Sequence, residues 1–160
     1  MPRRLKQLIG SGLTSGILFP KAPGTEGSLV AIILGTVGWY LGGPILISAL
    51  FILSLAAGFW AAPWYIQSHG EDPESFVMDE WSGQFLSMHF AWFLPDETEI
   101  QIVGILILSS FLLFRFFDIL KPLGIKQLES LPGAFGVIAD DLLAGFYTFL
   151  TLFFVILAVL

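Results

Sequence analysis

Five carboxylates and three cations give this chain its capacity for chemistry. Asp79-Glu80 and Asp140-Asp141 are adjacent acid pairs, and Arg115, Asp118 and Lys121 follow at i, i+3 and i+6. On a helix that spacing holds the three charges on roughly one face. Pro122 then stops the helix just beyond them. The stretch Lys21-Ala22-Pro23-Gly24-Thr25-Glu26-Gly27-Ser28 adds the third cation and two glycines. Acids brought together near a membrane repel one another and need a cation. The candidate metal ligands are therefore Asp79, Glu80, Asp118, Asp140 and Asp141. Hard oxygen donors, in a chain without cysteine or a paired histidine motif, suit Mg²⁺ or Mn²⁺ rather than zinc. Mg²⁺ commonly binds substrate phosphate through one or two carboxylates. Lys121 and Arg115, joined by Lys21, would grip the remaining phosphate charge.

The stretch from Lys21 to Ser28 is expected to be a loop entering a helix, with Lys21, Thr25, Gly27 and Ser28 as substrate-binding residues. It would present backbone N–H groups and the positive helix end to an anion. It is not a P-loop, because Gly-x4-Gly-Lys-Ser/Thr is missing. A metal with a phosphate cradle at a membrane surface points to a phospholipid headgroup.

The elements that must position these residues are apolar. Of 160 residues, 56% are hydrophobic and 12% charged, and mean hydropathy is +0.84. Soluble domains carry roughly 25% charged residues, so the expected class is an all-α polytopic membrane bundle in a single domain, residues 1–160. No basic nucleic-acid surface is present. The basic, weakly apolar start, interrupted by Gly10, Ser11, Gly12, Ser15 and Gly16, is expected to be a retained interfacial segment rather than a signal peptide.

Apolar segments fall at Ser28–Leu41, Pro44–Ala62, Trp81–Leu94, Ile100–Phe117 and Leu142–Leu160. Crossing takes about 20 residues, which the second, fourth and fifth meet; the first and third are short. Gly42-Gly43-Pro44 marks a tight turn joining two antiparallel helices. If all five cross, Arg3, Arg4, Lys6, Lys21, Arg115, Lys121 and Lys126 fall on the side of the N-terminus, leaving Asp96, Glu97 and Glu99 opposite. The positive-inside rule makes the basic side cytoplasmic. In the competing arrangement, three segments span and a short one is buried or re-entrant.

That topology gathers every acid pair at the cytoplasmic face. Each group also has a bland reading. Acid pairs at helix N-termini act as caps and dipole partners, Arg115 can snorkel to lipid phosphate, and Lys21 can be a plain anchor. Gly83 and Gly145 permit close helix packing whatever the function. The bland readings weaken jointly, since two acid pairs and Asp118 converge. His69, in a polar loop, reads as solvated, and His89, inside the third helix, as structural.

The residues Lys21-Ala22-Pro23-Gly24-Thr25-x-Gly27-Ser28, Asp72-Pro73, Asp79-Glu80-x-x-Gly83-Gln84, Phe114-Arg115-x-Phe117-Asp118-x-x-Lys121-Pro122 and Gly136-Val137-x-x-Asp140-Asp141-x-x-Ala144-Gly145 together resemble phosphatidylglycerophosphatase A. The blocks occur in the family's order over nearly the whole chain. The resemblance implies a Mg²⁺-dependent phosphatase of the bacterial inner membrane that converts phosphatidylglycerophosphate to phosphatidylglycerol, the precursor of cardiolipin. It maps the family's acidic and basic positions onto Asp79, Glu80, Arg115, Asp118, Lys121, Asp140 and Asp141. Glu26, Leu123-Gly124 and Ala134 depart from the family's usual residues.

The expected chemistry is metal-assisted hydrolysis of a phosphate monoester. Glu80 is the candidate general base, and Lys121 with Arg115 would hold the phosphoryl oxygens. A covalent aspartyl-phosphate on Asp79 or Asp118 is the main variant. An ion or proton transporter is the alternative class. Against it, the acids lie at one side and none at mid-depth. A transferase using a nucleotide-activated donor would need a longer set of spaced aspartates on one helix.

Overall fold

The computed structural model describes residues 2–18, 21–70, 73–95 and 97–159. Asp72 and Asp96 therefore lie outside the described residues. Among the described residues the secondary structure is helical, with no strand. The helices are α1 (Pro2–Gly10), α2 (Ser15–Leu18), α3 (Pro23–His69), α4 (Met78–Ser87), α5 (Ile100–Leu120), α6 (Ile125–Leu128) and α7 (Ala134–Val159). A 3₁₀ segment, Met88–Phe93, continues α4.

Three helices are long and apolar enough to cross a membrane: α3, α5 and α7. They turn large apolar side chains outward, among them Leu53, Ile105, Leu108, Phe154 and Leu157, as a lipid-facing surface requires.

α3 is not one rod. Gly43 has φ 62° and ψ −157°, far from helical, and Pro44 follows it without an N–H to continue the ladder. A Cβ built on Gly38 would stand 3.0 Å from Leu50 Cδ1. In an unbroken helix those positions would be roughly 18 Å apart at about 1.5 Å per residue. The chain therefore folds back at Gly43, as the Gly-Gly-Pro sequence predicts.

α4 is the hub. Met78, Trp81 and Phe85 pack with Ala31, Ala61 and Tyr65 of both α3 arms. Its polar residues Ser82, Gln84 and Ser87 are fully buried. Gln84 Nε2 donates to Ser87 Oγ at 2.9 Å and to Ser110 Oγ at 3.4 Å, which ties α4 to α5. The segment 81–94, expected as one short crossing helix, is instead an α-helix from Met78 that tightens to 3₁₀ at Met88.

Glycines set how closely α4 meets α7. A Cβ on Gly145 would collide with the Gly83 carbonyl, and one on Gly83 would stand 2.6 Å from the Asp141 carbonyl oxygen. Only residues without side chains allow this approach. The close-packing reading of Gly83 and Gly145 is thereby borne out.

α1 packs against α3 and the residue that precedes α4. Tyr65 Oη donates to the Gln7 carbonyl at 2.7 Å, and the Val77 N–H donates to the Gly10 carbonyl at 2.8 Å. Arg3, Arg4, Leu5 and Leu8 are exposed on this amphipathic helix, a pattern suited to an interface.

Candidate active site

The acids sit where α4, α5 and α7 meet. Asp79 and Glu80 occupy the first turn of α4. Asp118 is in the last turn of α5. Asp140 and Asp141 lie inside α7, which begins at Ala134; they do not open the last helix, as the apolar segment 142–160 had led us to expect. All five carboxylates line one cavity of about 560 Å³, together with Lys121 and the connection Glu129–Gly133.

Within that cavity Asp79, Glu80 and Asp141 each offer an oxygen, and those atoms lie within 4.8 Å of one another. Asp79 and Asp141 are buried. Glu80 Oε2 and Asp140 Oδ1 are buried with no hydrogen-bond partner. Buried carboxylate oxygens without donors are costly. An all-oxygen donor set with open lone pairs could hold a hard divalent cation such as Mg²⁺.

The two remaining acids are tied to cations. Asp118 Oδ2 pairs with Arg115 Nη1 at 2.5 Å. Arg115 Nη1 also donates to Ser28 Oγ at 3.3 Å, so Arg115 braces Asp118 against α3. Arg115 is not among the residues lining the cavity. Asp140 Oδ2 pairs with Lys121 Nζ at 2.6 Å, and Lys121 Nζ reaches Glu129 Oε1 at 2.6 Å. Burial of Lys121 opposes its charge, but Asp140 and Glu129 outweigh burial and raise its pKa above the ordinary lysine value. The ammonium is therefore firmly charged.

Lys121 is not on the helix face of Arg115 and Asp118. α5 ends at Leu120, and Lys121 caps it in the left-handed region, φ 47° and ψ 48°. The i, i+3, i+6 reading therefore holds for Arg115 and Asp118 alone. The turn redirects the chain before Pro122.

The stretch 21–28 departs most from expectation. α3 starts at Pro23, so Gly24 to Ser28 form its first turns rather than a loop. Proline suits that first position, where no N–H is needed. Lys21 and Thr25 are exposed, Gly27 and Ser28 are buried, and none of the four lines the acidic cavity. Gly27 packs on Val77, where a Cβ would come within 2.7 Å. Ser28 Oγ donates to the Gly24 carbonyl at 2.8 Å. Gly24 comes nearest the site, since a Cβ there would collide with the Glu80 carboxylate. The positive start of α3 therefore abuts Glu80.

No sequence pattern singles out Glu129, which lines the cavity and pairs with Lys121. It stands alone in a polar connection, and its spacing from the acid pairs fits no helical period. His69 packs on the rings of Tyr65 and Trp64. His89 bridges Ser48 Oγ and the Phe85 carbonyl, at 3.2 and 3.0 Å.

A family model for phosphatidylglycerophosphatase A matches residues 8–156. The chain belongs to the phosphatidylglycerophosphatase A family. It is an enzyme of the phosphatase class. A Haemophilus influenzae protein named phosphatidylglycerophosphatase A is 34% identical, over 91% of this chain and 85% of its own length. The Escherichia coli protein of the same name is 31% identical, over 92% and 81%. A Bacteroides thetaiotaomicron protein provisionally named phosphatidylinositol-3-phosphatase is 38% identical, over 93% and 92%. No solved structure gives a significant match. The phosphatidylglycerophosphatase A match spans α3, α4, α5 and α7, the helices that build and brace the acidic cavity.

Proposed function

We propose that the protein is a Mg²⁺-dependent lipid phosphatase that hydrolyses phosphatidylglycerophosphate to phosphatidylglycerol and inorganic phosphate. The observation that carries this is the convergence of six carboxylates, the five acids above and Glu129, and one lysine from separate segments on a single cavity. The reading extends to topology: five membrane-embedded helical segments, the basic side and the cavity facing the cytoplasm at the bacterial inner membrane. The segregation of all Lys and Arg to one side under that topology supports it.

In this reading Asp79, Glu80 and Asp141 hold Mg²⁺, with Asp118 and Asp140 beside them. Bound there, the ion supplies charge neutralisation and Lewis-acid polarisation of the phosphoryl group. Lys121 donates to the phosphoryl oxygens as charge spreads over them. Glu80 accepts the proton of the attacking water; its partnerless Oε2 supports that role. Arg115 holds Asp118 in its rotamer through the ion pair and does not touch substrate. Attack by Asp79 or Asp118 to give an aspartyl-phosphate is the variant, and trapping of a covalent phosphoenzyme separates the two.

A second reading of the headgroup has its own support, since a relative at 38% identity carries a phosphatidylinositol-3-phosphatase name. Purified full-length chain, given phosphatidylglycerophosphate or phosphatidylinositol 3-phosphate with Mg²⁺ or chelator, tests both. Mg²⁺-dependent release from the glycerol lipid is expected. Preference for the inositol lipid would replace the substrate, and equal release in chelator would end the metal role.

A further inference from the structure

We propose that Glu129 is a positioning residue that fills the phosphate seat of Lys121 until substrate displaces it. This rests on the phosphatase reading above. Among the described residues lining the cavity, Lys121 is the one lysine or arginine. An incoming phosphoryl group therefore meets a single ammonium. That ammonium has three N–H donors, and two carboxylates already engage it, each at 2.6 Å.

The two carboxylates are not equivalent. The Asp140 side chain is 8% exposed and lines the cavity from within α7. The Glu129 side chain is 44% exposed, on the connection between α6 and α7. A half-exposed ion pair is worth little and exchanges readily. A phosphate oxygen makes a charge-assisted hydrogen bond of the same kind with an ammonium. Exchange of the Glu129 oxygen for a phosphate oxygen therefore keeps Lys121 satisfied, whereas loss of Asp140 would strand a buried carboxylate.

The chain around Glu129 is pinned on both sides. Ile125 is fully buried, and Gly136 sits so close to the Leu131 carbonyl that a Cβ would collide with it. The movement required is thus a swing of the Glu129 side chain, with the backbone left in place. Product phosphate leaves by the reverse exchange, as Glu129 retakes the ammonium.

The test is calorimetric binding of inorganic phosphate to the full chain in detergent with Mg²⁺, for wild type, Glu129→Gln and Glu129→Asp. Glu129→Gln is expected to tighten phosphate about two- to fivefold, the equilibrium weight of a half-exposed ion pair. KM for the lipid should fall in parallel, and Glu129→Asp, which keeps the charge, should stay near wild type. If Glu129 instead steers Lys121 towards substrate, the sign reverses and phosphate binds more weakly. That outcome, an unmoved affinity in Glu129→Gln, or no phosphate binding by any of the three proteins overturns the proposal. Tightened phosphate binding by a chain that releases phosphate from neither lipid would sink the phosphatase reading and leave Glu129 standing. Normal turnover with unmoved phosphate affinity does the reverse.

Discussion

Gly145 faces the carbonyl of Gly83 with no room for a methyl group between them. Four residues before each glycine stands an acid of the trio, Asp79 on α4 and Asp141 on α7, one helical turn away on the same face. The glycine contact and the carboxylate contact are two rungs of one seam. Gly145→Ala must push the helices apart and carry the acids with them. Overpacking costs about 1–3 kcal/mol. We expect a lowered melting temperature in detergent and a loss of phosphate release greater than tenfold. An alanine variant with wild-type turnover would refute the seam.

Asp141→Asn keeps the side chain's volume and removes its charge. It should abolish Mg²⁺-dependent phosphate release while the helices stay folded. Circular dichroism checks the fold and phosphate release checks the chemistry. Wild-type turnover in this variant would end the proposed metal role of Asp141.

Removing the metal should also show in stability. A ligand that binds only the native state adds about 2.7 kcal/mol at a hundredfold excess over its Kd. Thermal unfolding in detergent should therefore rise with Mg²⁺ and fall in chelator. In Asp79→Asn and Asp141→Asn the Mg²⁺-dependent rise should shrink or vanish. A wild-type melt indifferent to Mg²⁺ would contradict the trio as a cation site.

Arg115 and Asp118 form a mostly buried pair, their side chains 15% and 12% exposed. Removing one partner of a buried pair strands the other and costs about 3–5 kcal/mol. The double variant Arg115→Ala/Asp118→Ala should be less destabilising than the sum of the two single variants. A double-mutant cycle on melting data reads that coupling. Additive effects would mean that Arg115 does not hold Asp118.

The acids that converge on the cavity were largely legible before the fold. Acid pairs in an apolar chain are costly enough to announce themselves, and the Gly-Gly-Pro turn announced the reversal at Gly43 because proline and glycine act locally. Helix starts were less legible. Apolar runs mark where lipid or core begins, whereas α7 starts well before its apolar run and encloses Asp140 and Asp141. For the same reason Gly24 to Ser28 looked like a loop: glycine and serine favour loops in isolation, but here Val77 and Arg115 pack against them. Pairings such as Lys121 with Glu129 depend on a left-handed cap at a lysine, which no spacing rule foresees. The change from α to 3₁₀ at Met88 leaves no mark in composition.

α4 has a consequence for how the protein is made. It emerges from the ribosome before α5 and α7, yet it bears Asp79, Ser82, Gln84 and Ser87, all buried. Acyl chains are poor solvent for such a segment, so on its own it has no stable resting place in the bilayer. The α3 hairpin already covers part of it, through the apolar cluster and the Ser82–Ser54 hydrogen bond, but its enclosure is completed only when α5 and α7 are in place. A chain truncated before Ala134 would keep the α3 hairpin and α5 around α4 but would lack Asp140 and Asp141, leaving Asp79 and Glu80 without the α7 wall of their cavity.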